Sequence, residues 1–87
     1  MTEILAIYDN PEFGDRYSVV LSSRTMVDPK EHDKLRDCLA VGDDVTHPQN
    51  GFSQMTVAEL GPHLGKPIRF EDLPRPVQDH VMERIGA

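Results

Sequence analysis

The sequence predicts a small α+β domain, in which one C-terminal helix packs on an antiparallel sheet of three or more strands. A pair of strand-like segments, joined by a dense run of turn-forming residues, predicts the start of the sheet. Near the C-terminus, an apolar residue at every fourth position predicts the helix. A chain of 87 residues suits a single domain, 1–87, with a small core.

The first two strands are predicted to form a hairpin. The run EILAIY, residues 3–8, is typical of a buried strand, and RYSVVLS, residues 16–22, alternates as a half-buried strand does. Between them, DNPEFGD contains Asp, Asn, Pro and Gly, which favour tight turns. The predicted tip therefore carries acidic residues around a single aromatic side chain, Phe13.

Residues 28–41 allow two interpretations. Asp28 followed by Pro29 and Glu31 is a pattern that begins helices, and Leu35, Cys38 and Leu39 fit helical spacing. The alternative is a loop over 28–35 and a strand over 36–41, RDCLAV. Local signals alone favour the helix.

The middle of the chain is predicted to be mostly loop. The stretch GDDVTHPQNGFSQ is polar and contains an Asn-Gly pair, which marks a tight turn. After it, MTVAEL fits either a brief strand or a turn of helix, and IRF, residues 68–70, is a short strand candidate.

The C-terminal helix has the clearest pattern. In EDLPRPVQDHVMERI the prolines stand only near the start, where helices tolerate them, so the helix is predicted to begin at Asp72 or Leu73. Four apolar residues form one ridge that should pack on the sheet: Leu73, Val77, Val81 and Ile85.

The net charge of −6 is unevenly distributed along the chain. Residues 1–15 contain four acidic residues and no Lys or Arg, whereas residues 66–87 contain four of each sign. An acidic surface repels phosphate, so direct nucleic-acid binding is disfavoured. The same surface favours approach to a basic protein surface, including one that holds nucleic acid.

Enzyme chemistry finds little support in the sequence. It has no nucleophile elbow, phosphate-cradling glycine loop or zinc motif, and no cofactor is expected in so small a domain. The four histidines lack metal-ligand spacing, which leaves Asp43, Asp44 and His47 as a weak candidate for a cation site or a small hydrolase. The single cysteine, Cys38, lies among apolar residues and is expected to be buried and inert. The absence of a signal peptide or a long apolar run predicts a soluble cytoplasmic protein without membrane contact.

Three blocks of the sequence resemble a set of short bacterial proteins associated with phages and other mobile elements. The blocks are IYDN with DRYSVV, then HPQNGFSQ, then GPHLGKPIRFEDLPRPVQDHV. They follow the family's order of DN and DRYTV, then HPQ, GF and Q, then LGK, FEDLP and VQ, and together they cover most of the chain. This chain departs from the pattern at Asn50, which is an addition, and at PEF, where the family often has glycines.

The resemblance implies both structure and function. Similar proteins carry a strand-like stretch before HPQ, which favours the strand interpretation over residues 36–41. Small proteins of mobile elements often block host defence, so the resemblance implies a non-enzymatic inhibitor that binds a CRISPR effector complex in the bacterial cytoplasm. The alternative is a small regulatory or structural interaction module that binds a partner encoded beside it.

Two groups of residues are expected to carry the interaction. Acidic side chains and one aromatic anchor are the expected partner contacts: Asp9, Glu12, Phe13, Asp15, Asp43 and Asp44. The polar loop and the start of the next segment supply residues that either brace the fold or contact the partner: His47, Gln49, Phe52 and Gln54.

Overall fold

The computed structural model describes residues 3–26, 28, 30, 33–42 and 53–86. Within these residues the elements are β1 (Ile4–Asp9), β2 (Tyr17–Leu21), β3 (Leu35–Val41), β4 (Ser53–Glu59), β5 (Lys66–Ile68) and α1 (Arg75–Gly86). Short 3-10 helices, Pro62–Leu64 and Phe70–Asp72, flank β5. All strand pairs are antiparallel, in the order β4-β3-β2-β1-β5. The predicted α+β fold with one C-terminal helix is confirmed.

The predicted hairpin is formed by β1 and β2, with Asp9 opposite Tyr17 at the end nearest the turn. The prediction of a half-buried β2 is wrong, because all five of its residues are buried. β2 lies at the centre of the sheet, and Val20 packs with Tyr8 and Cys38 on the face away from the main core. Both faces of the strand are therefore covered.

Residues 35–41 form a strand, as the resemblance implied and against the local helix signal. β3 pairs with β2 on one side and with β4 on the other. A side-chain oxygen of Asp28 accepts a hydrogen bond from the amide of Lys30, at 2.9 Å, which is the bond expected of a helix cap. The same bond also forms in isolated turns, so it does not by itself establish a helix.

The later strands differ in detail from their predictions. MTVAEL lies almost entirely within β4, which settles its ambiguity in favour of a strand. The predicted strand IRF is wrong in its bounds, because β5 ends at Ile68 and Phe70 begins a 3-10 helix. A carboxylate oxygen of Asp72 accepts a hydrogen bond from the amide of Arg69, at 3.0 Å, and turns the chain there.

The helix α1 begins at Arg75, later than the predicted start at Asp72 or Leu73. Leu73 is extended (φ −72°, ψ 145°) because the residue before a proline disfavours helical geometry. The ridge is confirmed: Leu73, Val77 and Val81 are buried in the main core, and Ile85 packs against it. Their partners come from the first three strands: Ile7, Tyr17, Val19, Leu21, Leu39 and Val41.

Candidate partner-binding surface

The connection between β1 and β2 forms an ordered tip organised by Asn10. The backbone amide of Asn10 donates to the carbonyl of Arg16 at 2.9 Å, and the amide of Phe13 donates to the carbonyl of Asn10 at 3.0 Å. The side-chain oxygen of Asn10 accepts from the amide of Glu12 at 3.1 Å. An asparagine that bonds the backbone two residues later is typical of a turn, and this bond favours the turn over extended backbone.

The tip carries an aromatic residue flanked in sequence by two carboxylates. Phe13 is 44 % exposed, which is high for a large apolar side chain. Glu12 is exposed and Asp15 is half-buried. Neither carboxylate has an ion-pair partner in the part of the chain that the structure describes.

Asp9 is engaged within the fold. Its two carboxylate oxygens accept hydrogen bonds from Nε and one Nη of Arg16, at 2.7 and 3.1 Å. The same guanidinium lies 5.4 Å from the ring centroid of Tyr17. Because Arg16 neutralises Asp9, the free negative charge of the tip comes from Glu12 and Asp15.

The other expected contacts lie mostly outside the described residues. Asp43, Asp44, His47, Gln49 and Phe52 fall there, so their expected roles as contacts or braces stay predictions. Gln54 is described: it is an exposed residue of β4, opposite Ala40 of β3.

Asp37 is a carboxylate only 3 % exposed in the middle of β3, and no sequence pattern singled it out. One of its oxygens accepts from the hydroxyls of Ser23 and Thr25, both at 2.7 Å, and from the amide of Thr25 at 3.1 Å. The other accepts from the amide of Met26 at 3.2 Å. Burial alone would raise the pKa of Asp37, but these hydrogen bonds outweigh it and lower the pKa below its usual value.

Asp37 lies at a cavity of about 210 Å³ between the sheet and the end of α1. Leu21, Met55 and Ile85 supply its apolar wall, and Arg84 supplies a cation. A carboxylate with a lowered pKa and hydrogen bonds on both oxygens is a poor proton acceptor. We therefore assign Asp37 the role of fixing residues 23–26 to β3. Two features of the sequence could have indicated this role of Asp37. It is an acid within an otherwise apolar strand segment, and the hydroxyl-rich run SSRT, residues 22–25, precedes that strand.

The cysteine and the histidines were considered for nucleophilic chemistry and for metal binding. Cys38 is 2 % exposed, and burial raises the pKa of its thiol to about 11, so the thiol is protonated at neutral pH. In the described ranges, no group of three or more His, Cys, Asp or Glu residues is placed to hold a metal ion. His63 is exposed in a 3-10 helix and His80 is half-buried on α1, whereas His32 and His47 are outside the described residues.

Within the part of the chain that the structure describes, no helix has the length and apolar character needed to cross a membrane. Comparison with protein-family models, with curated proteins and with solved structures gave no match for this chain.

Proposed function

We propose that this chain is a non-enzymatic inhibitor that docks its hairpin tip on a basic protein surface. The observation that carries the proposal is the exposed Phe13, flanked in sequence by Glu12 and Asp15, whose carboxylates have no ion-pair partner among the described residues. An aromatic anchor within a charged rim is a recurring arrangement of residues that dominate binding energy.

The chemistry of the tip selects its partner. Glu12 and Asp15 pair with Lys or Arg side chains, and Phe13 enters an apolar recess between them. The hydrogen bonds of Asn10 hold the tip in shape before binding, which lowers the entropic cost of docking. The net charge of −6 speeds encounter with a cationic partner and makes the association rate sensitive to salt.

The resemblance to proteins of phages and mobile elements supports a narrower proposal. The partner is a host defence complex, and a CRISPR effector complex is the foremost candidate. Such a complex holds nucleic acid in a positively charged channel. The acidic tip occupies part of that channel and competes with the phosphate backbone for the same Lys and Arg side chains.

A binding experiment with matched variants tests the role of the tip. Affinity for a purified CRISPR effector complex is measured at several salt concentrations for the wild type, Phe13→Ala and the double variant Glu12→Lys/Asp15→Lys. The control is Glu3→Lys/Glu83→Lys, which changes the net charge equally at exposed positions away from the tip. We expect the two tip variants to weaken binding at least about tenfold, a loss of about 1.4 kcal/mol, and the control to weaken it much less.

Different results would contradict the tip as the contact surface and the CRISPR effector complex as the partner. Equal affinity of the wild type and the tip variants would overturn the tip as the contact. Binding that persists unchanged when the channel is filled with target DNA would overturn competition with nucleic acid. If no effector complex binds, the narrower proposal is wrong. A partner encoded beside this chain that binds through the tip would then support an interaction module of a mobile element.

A further inference from the structure

The two edges of the sheet are built differently. The β5 edge is three residues long and contains Lys66 and Pro67, which discourage the addition of another strand. The β4 edge is seven residues long, SQMTVAE, without proline or lysine. β4 pairs with β3 at every position from Ser53 to Glu59 without a bulge. Among the described residues, the β5 edge therefore carries features that protect against strand pairing, and the β4 edge does not.

The outer side of β4 has no strand partner among the described residues. In a regular strand, alternate residues direct their backbone N–H and C=O groups away from the neighbouring strand. A long, regular edge of this kind is a template for pairing with another strand. Strand addition would satisfy those groups through main-chain hydrogen bonds.

We propose that β4 pairs antiparallel with β4 of a second copy, with the two-fold axis at Thr56, and so joins two sheets into one. In this register, position 55 lies opposite 57, position 54 opposite 58, and position 53 opposite 59. Glu59 is the only charged residue of the strand, and it lies opposite a serine position, so no like charges face each other. The strand is thus complementary to itself.

The apolar side chains of β4 support this register. Met55 lies opposite Leu39 of β3, and Val57 lies opposite Asp37, so Met55 and Val57 are on the face covered by α1. Both of these β4 side chains are nevertheless only half-buried. In the dimer each Met55 lies beside the partner's Val57, and the pair shields apolar surface that the edge leaves exposed. The contact is small, so the dimer is weak and forms at high protein concentration.

Sedimentation equilibrium tests whether the wild type forms a dimer. The protein concentration is raised to about 1 mM, because a weak dimer has a dissociation constant in that range. Thr56→Lys and Thr56→Glu each place like charges across the axis, because directly opposite side chains lie close together. Each variant should raise the dimer dissociation constant about tenfold. Mixing the two variants should restore association, because the lysine of one copy then faces the glutamate of the other. Met82→Lys, at a 50 % exposed position on α1, is the control and should leave the dissociation constant unchanged.

The salt dependence separates this proposal from the proposed function. Two copies of net charge −6 repel each other, so added salt should strengthen the dimer, whereas it should weaken binding to a basic partner. A wild type that stays monomeric throughout the concentration range overturns the dimer. Normal dimers of Thr56→Lys, or a mixture that does not recover association, overturn the register at Thr56. Circular dichroism confirms that each variant is folded.

Discussion

The carboxylate of Asp9 and the guanidinium of Arg16 form a two-point ion pair across the base of the hairpin, with N–O distances of 2.7 and 3.1 Å. Asp9 is the last residue of β1, and Arg16 immediately precedes β2. The pair therefore closes the turn that presents Phe13. Among the acidic residues of the tip, Asp9 is therefore held by an ion pair, whereas Glu12 and Asp15 have no ion-pair partner in the described part of the chain.

Asp9→Asn tests this division of roles. The substitution removes the charge that pairs with Arg16, so the free energy of unfolding should fall by about 1 kcal/mol in urea denaturation. The control is Asp15→Asn, which removes a carboxylate without an ion-pair partner among the described residues and should change stability much less. Equal losses in both variants would mean that the ion pair contributes no more than general charge effects.

Asp37→Asn should destabilise the domain although it preserves the shape of the side chain. The carboxylate accepts four hydrogen bonds, and an amide group would turn a donor toward donors on one side. We expect a loss of about 2–3 kcal/mol, because buried donors are left without acceptors. Chemical denaturation measures this loss. The control is Asp79→Asn on α1, which removes only an exposed ion pair with Arg75 and should cost a few tenths of a kcal/mol.

The effect of Asp37→Asn should depend on pH in a defined direction. Because the folded-state pKa of Asp37 is lowered from 3.8, the ionised group contributes stability above 3.8 and loses it as the pH falls through the folded value. The stability difference between wild type and variant should therefore be full at neutral pH and shrink below 3.8. A difference that grows on acidification would contradict the assignment.

The fold could be predicted where a local pattern agreed with its element. The turn-rich run after Asp9 predicted the hairpin, and the spacing from Leu73 to Ile85 predicted the helix ridge. The strand β3 could not be deduced locally, because the bond between Asp28 and Lys30 occurs both at helix starts and in isolated turns. Pairing with β2 and β4 decides the conformation of β3, and such pairing is a tertiary effect.

The candidate site was predictable only in part for a similar reason. The exposure of Phe13 follows from its place in a turn-forming run. The pairing of Asp9 with Arg16 does not follow from the sequence, because Arg16 is seven positions away and contacts Asp9 only in the hairpin register. The hydroxyl of Ser23 is fourteen positions from Asp37 and meets it only once β2 and β3 have paired. Sequence patterns indicated which groups carry charge, and the strand register determined which of them pair with each other.

Gly65→Ala should destabilise the domain through its backbone. Gly65 has φ +122°, and a Cβ there would lie 2.5 Å from the carbonyl oxygen of Asp9 and 2.9 Å from the Cβ of Asn10. We expect a loss of roughly 2–3 kcal/mol, measured by thermal and urea denaturation. The control is Gly14→Ala, because an added Cβ at Gly14 meets nothing within 4 Å. Comparable melting of the two variants would show that this close approach is not required.

Val77→Asp should unfold the domain under conditions in which the wild type is folded. Val77 is fully buried in the core between α1 and the sheet, so the substitution places an unpaired carboxylate among apolar side chains. The cost, of order 4–5 kcal/mol, approaches the whole stability of a domain this small. Met82→Asp introduces the same carboxylate on α1 at a 50 % exposed position and should cost only about 1 kcal/mol. Circular dichroism melts compare the variants, and an unchanged melt for Val77→Asp would refute the packing of this ridge on the sheet.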